Sequence, residues 1–287
     1  MKQLLLLLVM STILLSAHAQ PTDKRLQRRL SEMFRDYPGS IGIYVHDLKK
    51  NKIVAINADT VFPTASMVKI PILTGIMHKL ESGELNYHQT LTYRDSLLYE
   101  GVDILGSFKN NEKIELSKLM MLMLTMSDNT ASLWLQSLAG TGTRINELMD
   151  SLGMRYTRVN SRTPGRENNR AEYGWGQTTP LEMATLMEKI VRKEVINAAA
   201  SEKMLRLLGR NYWDEVAVSA IPADAFVASK NGAVNATRNE VVFVNAKKSR
   251  YLFCICTKNN KDTSWEPGNA AWVLTRAVSA LLWKYYN

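Results

Sequence analysis

The chain is predicted to be an α/β protein of the α+β kind, with one antiparallel sheet built from both termini, flanked by helices, and an all-helical segment inserted between its halves. Three observations carry this expectation. Strand-like apolar runs occur early, at 41–46 and 53–57, and return only late, at 225–230, 240–245 and 251–257. Between them the apolar residues recur at helical spacing. Short polar turns, Lys49-Lys50-Asn51-Lys52 and Ala246-Lys247-Lys248-Ser249, join neighbouring strands, and connections that short permit only antiparallel pairing.

With 287 residues, 46% of them hydrophobic and 22% charged, the chain has ample material for one large globular unit. The expected division is a sheet subdomain over about 20–63 and 211–287 and a helical subdomain over about 64–210. Residues 1–19 read as a secretory signal peptide: Lys2, an apolar run from Leu4 through Leu15, and an Ala17-His18-Ala19 cleavage site. A secreted or periplasmic protein follows, with no membrane span after cleavage. The formal charge is +9, or +8 once Lys2 is removed, which suits an anionic envelope or an anionic substrate. The basic residues are dispersed and carry no nucleic-acid motif. Cys254 and Cys256 alternate on a strand, so they share a face and read as buried free thiols; no metal and no cofactor is expected.

In chain order, Leu26, Leu30, Met33 and Phe34 give the first helix, over 23–37, a buried stripe, with Lys24, Arg25, Arg28 and Arg29 on its wet face. After the first hairpin, a helix that begins around Ser66 and Lys69 and runs to about Ser82 is apolar on most sides and is expected at the centre of the molecule. Residues 86–111 have mixed signals and read as loop with short helices. A strongly apolar helix spans 116–126; its methionines, Met120, Met121, Met123 and Met126, are core filler. Helices follow at 129–138 and 145–152. Residues 156–177 show no period and read as a long loop, of the kind that is functional or disordered. Thr179 then caps a helix with Pro180 at its first position, another helix covers 198–208, and a last one covers 270–286.

The chemistry gathers around Phe62-Pro63-Thr64-Ala65-Ser66-Met67-Val68-Lys69. Positions i and i+3 share a helix face, so the Lys69 amine reaches the Ser66 hydroxyl. Serine is a weak nucleophile until a neighbouring base takes its proton, and a desolvated lysine near another cation can be that base. Ser127-Asp128-Asn129 and Lys230-Asn231-Gly232 follow at a distance. S-x-x-K, S-D-N and a K-[TS]-G-like triplet, in that order, form the set found in class A β-lactamases and penicillin-binding proteins. The chain resembles that superfamily over nearly all of its length beyond the leader, with Asn231 where Thr or Ser is usual.

The resemblance implies a serine β-lactamase-like fold and an acyl-serine hydrolase of β-lactam amide bonds. Ser66 matches the acylated serine, Lys69 its activating base, and Ser127 the hydroxyl that passes a proton to the leaving nitrogen. Asn129 matches the amide that holds the substrate side chain. Lys230 matches the cation that polarises Ser127 and attracts the substrate carboxylate, with Asn231 beside it. The backbone N–H groups of Ser66 and Ala233 match the oxyanion donors. Arg238, eight residues after Lys230, is the candidate carboxylate-gripping arginine. The E-x-x-x-N pattern that supplies the deacylating base is missing, and its Glu would fall near Thr163; Glu167 is the candidate replacement. Substrates on this reading are β-lactams or peptidoglycan stem peptides, taken by a monomer. A slowly deacylating penicillin-binding D,D-peptidase-like enzyme and a non-catalytic binding domain stand as alternatives. No G-x-S-x-G elbow, H-E-x-x-H or phosphate-binding glycine pattern competes.

Overall fold

A computed structural model of the protein describes residues 20–101 and 103–287; residues 1–19, where a signal peptide is expected, lie outside the described residues. Helix α1 (Lys24–Phe34) starts on Asp23, whose carboxylate accepts the Leu26 N–H at 3.0 Å, and buries Leu26, Leu30 and Phe34. Strands β1 (Ser40–Asp47) and β2 (Lys52–Ile56) form the expected hairpin, with Val45 opposite Val54. A short β3 (Phe62–Pro63) leads into a 3₁₀ turn, Ala65–Val68, and then α2 (Lys69–Glu81), buried without a break from Lys69 to Met77. Pro71 falls in the first turn of α2, where no intrahelical N–H is required.

In the helical middle, β4 (Thr90–Thr92) pairs with β5 (Lys113–Glu115). The sequence reads one helix over 116–126, but the chain forms α3 (Leu116–Met121) and then a wide π turn, Leu122–Met126. The wider turn ends at Ser127 in the left-handed region, φ 61°, which reverses the chain into α4 (Asn129–Leu138). α5 (Thr141–Ser151) follows. The aperiodic stretch 156–177 is better ordered than its composition suggests: it holds β6 (Arg158–Val159), α6 (Glu167–Tyr173) and β7 (Gly176–Thr178), and β7 pairs with both β3 and β6. α7 (Pro180–Val191) begins as expected, Thr179 Oγ1 accepting the Glu182 N–H at 3.1 Å, and α8 (Ala198–Leu208) follows.

The chain then returns to the sheet with β8 (Phe226–Val234), β9 (Thr237–Asn245) and β10 (Arg250–Lys258), and closes with α9 (Ala270–Tyr286). The strand order is β2-β1-β10-β9-β8, so the two ends of the chain meet where β1 pairs antiparallel with β10, Ile43 opposite Ile255. Alternation splits the sheet into two cores. Ile43, Val45, Val242, Val244 and Phe253 pack with α1 and α9 on one face, while Tyr44, Val241, Phe243, Cys254 and Cys256 join the large cluster around α2 and α7. Cys254 and Cys256 are buried free thiols on that second face, Sγ to Sγ 3.7 Å. No helix of the described residues is long and apolar enough to cross a membrane.

Two positions show how tightly this frame is set. A Cβ on Gly42 would meet Asn57 O at 2.7 Å, Phe62 Cε2 at 2.9 Å and Pro180 Cγ at 3.0 Å, so β1 depends on having no side chain there. Gly42→Ala is expected to lower stability by about 1–3 kcal/mol in chemical denaturation, the usual cost of overfilling a packed site. Glu240, on β9 beside Val241, is buried; its Oε2 accepts the Ala217 N–H at 3.0 Å and Oε1 has no partner. Burial raises its carboxyl from 4.5 to about 8, so the folded state binds the extra proton between those values and stability falls as pH rises through that window. Glu240→Gln is expected to match the parent near pH 4.5 and to exceed it by up to about 5 kcal/mol above pH 8, measured by urea denaturation at both.

Candidate active site

Ser66 lies in the 3₁₀ turn ahead of α2, half-buried, and the turn is entered through Ala65 at φ 45°, a left-handed conformation that a β-carbon disfavours. Lys69, one turn on, is completely buried. Its Nζ stands 3.1 Å from Ser66 Oγ, 3.0 Å from Ser127 Oγ, 2.5 Å from Ser127 O and 3.0 Å from Asn129 Oδ1. Burial lowers the Lys69 pKa well below its ordinary value; the positive charge of Lys230 lowers it further, and Asp128 only partly opposes this. That direction favours the neutral amine, which has two N–H bonds and one lone pair. Two of its neighbours, Ser127 O and Asn129 Oδ1, can only accept, and they take the two N–H bonds. On a neutral amine the lone pair is left for a hydroxyl proton, and both Ser66 Oγ and Ser127 Oγ stand within reach of it.

Ser127 owes its position to the π turn and to what braces it. Asp128 caps α4 by accepting the Ala131 N–H at 2.7 Å, and its other oxygen accepts from Ile104 and Leu105, which ties down the facing loop. From the other side the Trp213 indole N–H donates to Met126 O at 3.0 Å, and the Tyr212 N–H donates to Thr125 O at 3.0 Å. Neither aromatic was singled out in the sequence, because nothing local links residue 213 to residue 126. Tyr99 and Trp175 meet edge to face with ring centroids 4.9 Å apart, and the Tyr99 N–H donates to Thr130 Oγ1 at 2.9 Å. This pair stands beside Asn129 at the rim.

The third segment is the free edge of the sheet. β8 is hydrogen-bonded only to β9, with Lys230 opposite Val241 and Asn231 opposite Glu240. A Cβ on Gly232 would lie 2.5 Å from Thr64 O and 2.8 Å from Ser66 N, so the absence of a side chain lets β8 touch the nucleophile's own amide and sets Ala233 beside it. Lys230 is completely buried, and burial lowers its amine to about 7, with the attraction of Glu240 opposing the shift. Its Nζ donates to Asn231 O and Asn231 Oδ1, both at 3.0 Å. The unusual Asn231 thus satisfies the buried amine with its amide oxygen. The Ser127 hydroxyl is bonded to Lys69, not to Lys230.

Two expected residues lie elsewhere. Arg238 alternates to the other face of the sheet, where its guanidinium donates to the carbonyls of Asn235, Thr237, Thr263 and Ser264. It is sandwiched between the rings of Trp265 and Trp272, at 4.7 and 5.0 Å, so it locks the β8–β9 turn to α9 and does not enter the cleft. Glu167 is exposed at the start of α6, and its carboxylate accepts the Gly165 N–H at 3.1 Å, turned back on its own loop. The start of loop 156–177 is tied to α7 by the Glu182 carboxylate, which accepts the Tyr156 N–H at 2.9 Å and the Thr157 N–H at 2.6 Å. Its later part is held by neutral amides and a guanidinium: Arg166 donates to Asn160 Oδ1 at 3.0 Å and to Gln177 Oε1 at 2.8 Å, and Asn169 donates to Gln177 Oε1 at 3.0 Å. Thr163, where a family carboxylate would fall, is buried and donates to Ser161 O at 2.9 Å. Among the described residues no cluster of side chains is arranged to hold a metal ion.

Comparison with known proteins agrees with this arrangement. The profile of the Beta-lactamase enzyme family matches residues 25–286. A β-lactamase of Streptomyces fradiae is 29% identical over 224 residues, covering 75% of this chain and 72% of that one. Among solved structures, PBP-A superposes with a TM-score of 0.82 at 23% identity, covering 93% of this chain and 97% of its own. The class A β-lactamase of Mycobacterium abscessus gives 0.80 at 21%, covering 91% and 99%. The serine β-lactamase fold is therefore shared, and the chain belongs to the β-lactamase enzyme family.

Proposed function

We propose that the protein is an exported serine hydrolase that opens β-lactam amide bonds through an acyl-Ser66 intermediate. The observation that carries this reading is the buried Lys69 amine, whose Nζ lies 3.1 Å from Ser66 Oγ and 3.0 Å from Ser127 Oγ and whose pKa burial lowers. In the first step Ser66 Oγ attacks the lactam carbonyl carbon and its proton passes to Lys69 Nζ. The oxyanion that forms is met by the backbone N–H groups of Ser66 and Ala233, at the contact made by Gly232; losing one such donor costs roughly 3–4 kcal/mol of transition-state stabilisation. When the C–N bond breaks, Ser127 gives its proton to the leaving nitrogen and is reprotonated by the Lys69 ammonium, 3.0 Å away. Asn129 and the rim aromatics receive the substrate side chain. The Lys230 cation, populated near and below pH 7, attracts the substrate carboxylate.

Release of the acyl group is supported less directly, because Glu167 faces water and the Ser66 hydroxyl bonds to Lys69. That observation favours a second reading, a penicillin-binding D,D-peptidase-like enzyme that acylates fast and deacylates slowly. A variant of PBP-A has itself been solved as an acyl-enzyme with penicillin G. Nitrocefin kinetics separate the two: steady turnover supports the hydrolase, and a stoichiometric burst with a lasting adduct supports the second reading.

Three outcomes are expected from substitution. Ser66→Ala abolishes the penicillin adduct seen by intact-mass spectrometry, and an adduct that survives would end the acyl-serine assignment. Lys69→Ala slows acylation by about 10²–10⁴-fold in stopped-flow measurements, the span of a lost general base. Glu167→Gln leaves deacylation within about twofold, since its carboxylate is turned away from the cleft; a large slowing of deacylation alone would place the water-activating base on α6 after all.

A further inference from the structure

The charge of this protein is unevenly placed. Residues 20–63 and 211–287 hold 17 Lys and Arg against 11 Asp and Glu, whereas residues 64–210 hold 18 against 16. The excess gathers at one pole, where four segments are tied together by hydrogen bonds and a cation–ring contact. Lys49 Nζ, in the β1–β2 turn, donates to Lys248 O in the β9–β10 turn at 2.8 Å. Ser249 of that second turn donates to Asn287 Oδ1 at the chain end, 3.0 Å. Tyr285 OH donates to Asp23 Oδ1 at the start of α1, 3.0 Å, and its ring carries Arg25 and Arg29, each 5.9 Å from the centroid. Lys24, Arg25, Arg28, Lys49, Lys50, Lys52, Lys247, Lys248, Arg250 and Lys284 are all exposed there. The two acids woven into the pole are occupied: Asp23 caps α1, and Asp47 accepts the N–H groups of Lys49 and Lys50. None of the ion pairs among the described residues involves these cations; they all lie on the helical side or between His46 and α7.

We propose that this pole is a docking surface for an anionic lipid bilayer. A cluster of unpaired cations on a folded frame attracts anionic headgroups without any groove or base-reading element. The point where the chain arrives argues for lipid over other polyanions. Gln20 is fixed at the pole by its amide, which donates to Asn51 Oδ1 at 3.0 Å and accepts from Tyr44 OH at 3.1 Å. The sequence immediately upstream is the apolar run from Leu4 to Leu15. That run reads as a leader cut after Ala19, so on the exported reading the cut frees the Gln20 amino group at the pole, adds a cation there, and leaves the pole beside the membrane the chain has just crossed. It is also separate from the cleft, so docking does not obstruct the site.

The test is co-sedimentation of the purified protein with phosphatidylcholine vesicles, with and without 30 mol% phosphatidylglycerol, in low and high salt. Binding is expected only with the anionic vesicles, and it is expected to vanish in high salt. Replacing Lys50, Lys52, Lys247 and Lys248 with Gln should reduce partitioning by about a hundredfold or more, since each surface cation contributes several-fold. Replacing Lys109, Lys113, Lys118 and Lys193, exposed on the helical side, should change it little. Circular dichroism melts check that both variants are folded. Failure of the parent protein to bind anionic vesicles overturns the proposal, as does equal loss in the two variants. Displacement from vesicles by duplex DNA at equal phosphate concentration would also overturn it, assigning the pole to nucleic acid.

Discussion

The structure turns on one amine kept out of water. An ammonium with no counter-ion is costly in a protein interior, and the least expensive response is to give up the proton. Lys69 sits in that position by construction: it is the first residue of a helix buried through Met77, and a second buried cation, Lys230, approaches from the sheet. Asp128, the carboxylate that could restore the charge, spends its oxygens on the backbone N–H groups of Ala131, Ile104 and Leu105. A Lys69 side chain at the surface would be a cation, and Ser66 an inert alcohol. The fold's main task at this site is therefore exclusion of water and of counter-charge.

Holding three remote segments around that amine demands backbone that the chain would not choose alone. Ala65 and Ser127 are both left-handed, φ 45° and 61°, and such conformations cost roughly 1–3 kcal/mol each outside glycine. They lie on either side of Lys69, one entering the turn of the nucleophile, the other ending the π turn. The compensation is visible around them. Thr64 N–H donates to Gly176 O at 2.8 Å, Asn239 donates to Pro63 O at 2.6 Å, and Trp213 and Tyr212 hold the last carbonyls of the π turn. The aromatic residues near the cleft thus act first as braces, and a substrate would meet them second.

What could be read from the sequence follows from the range of the signal. Period-two runs and short turns are local, so the hairpin of β1 and β2, the later β strands and the closure of the sheet by both termini were legible. The triplets around Ser66, Ser127 and Lys230 were legible because their spacing is local and their order is distinctive. The break between α3 and the π turn was not, since Leu122–Met126 is as apolar as any buried helix; only the geometry at Ser127 reveals it. Arg238 was misplaced for a related reason. Counting from Lys230 brings it near the cleft, but alternation on β9 decides the face, and the rings that attract it, Trp265 and Trp272, arrive from a distant part of the chain. Residues 156–177 lack a period because their order comes from side-chain amides and from pairing of β7 with β3.

The same contrast bears on the chemistry. The groups proposed to acylate, Ser66, Lys69, Ser127 and Lys230, stand on elements fixed by the core: the turn before α2 and α2 itself, the turn before α4, and β8 against β9. The group that would activate water belongs to a loop, and here that loop is knit by Arg166, Asn160, Asn169 and Gln177 without a carboxylate among them. An amide network can hold a loop shut against the nucleophile as well as a carboxylate can, but it cannot take a proton from water. On the proposed function, acylation and deacylation are separable: the first rests on the buried frame, while the second depends on what the loop carries. A chain that keeps the frame and changes the loop retains a reactive serine and alters only how long the acyl group stays.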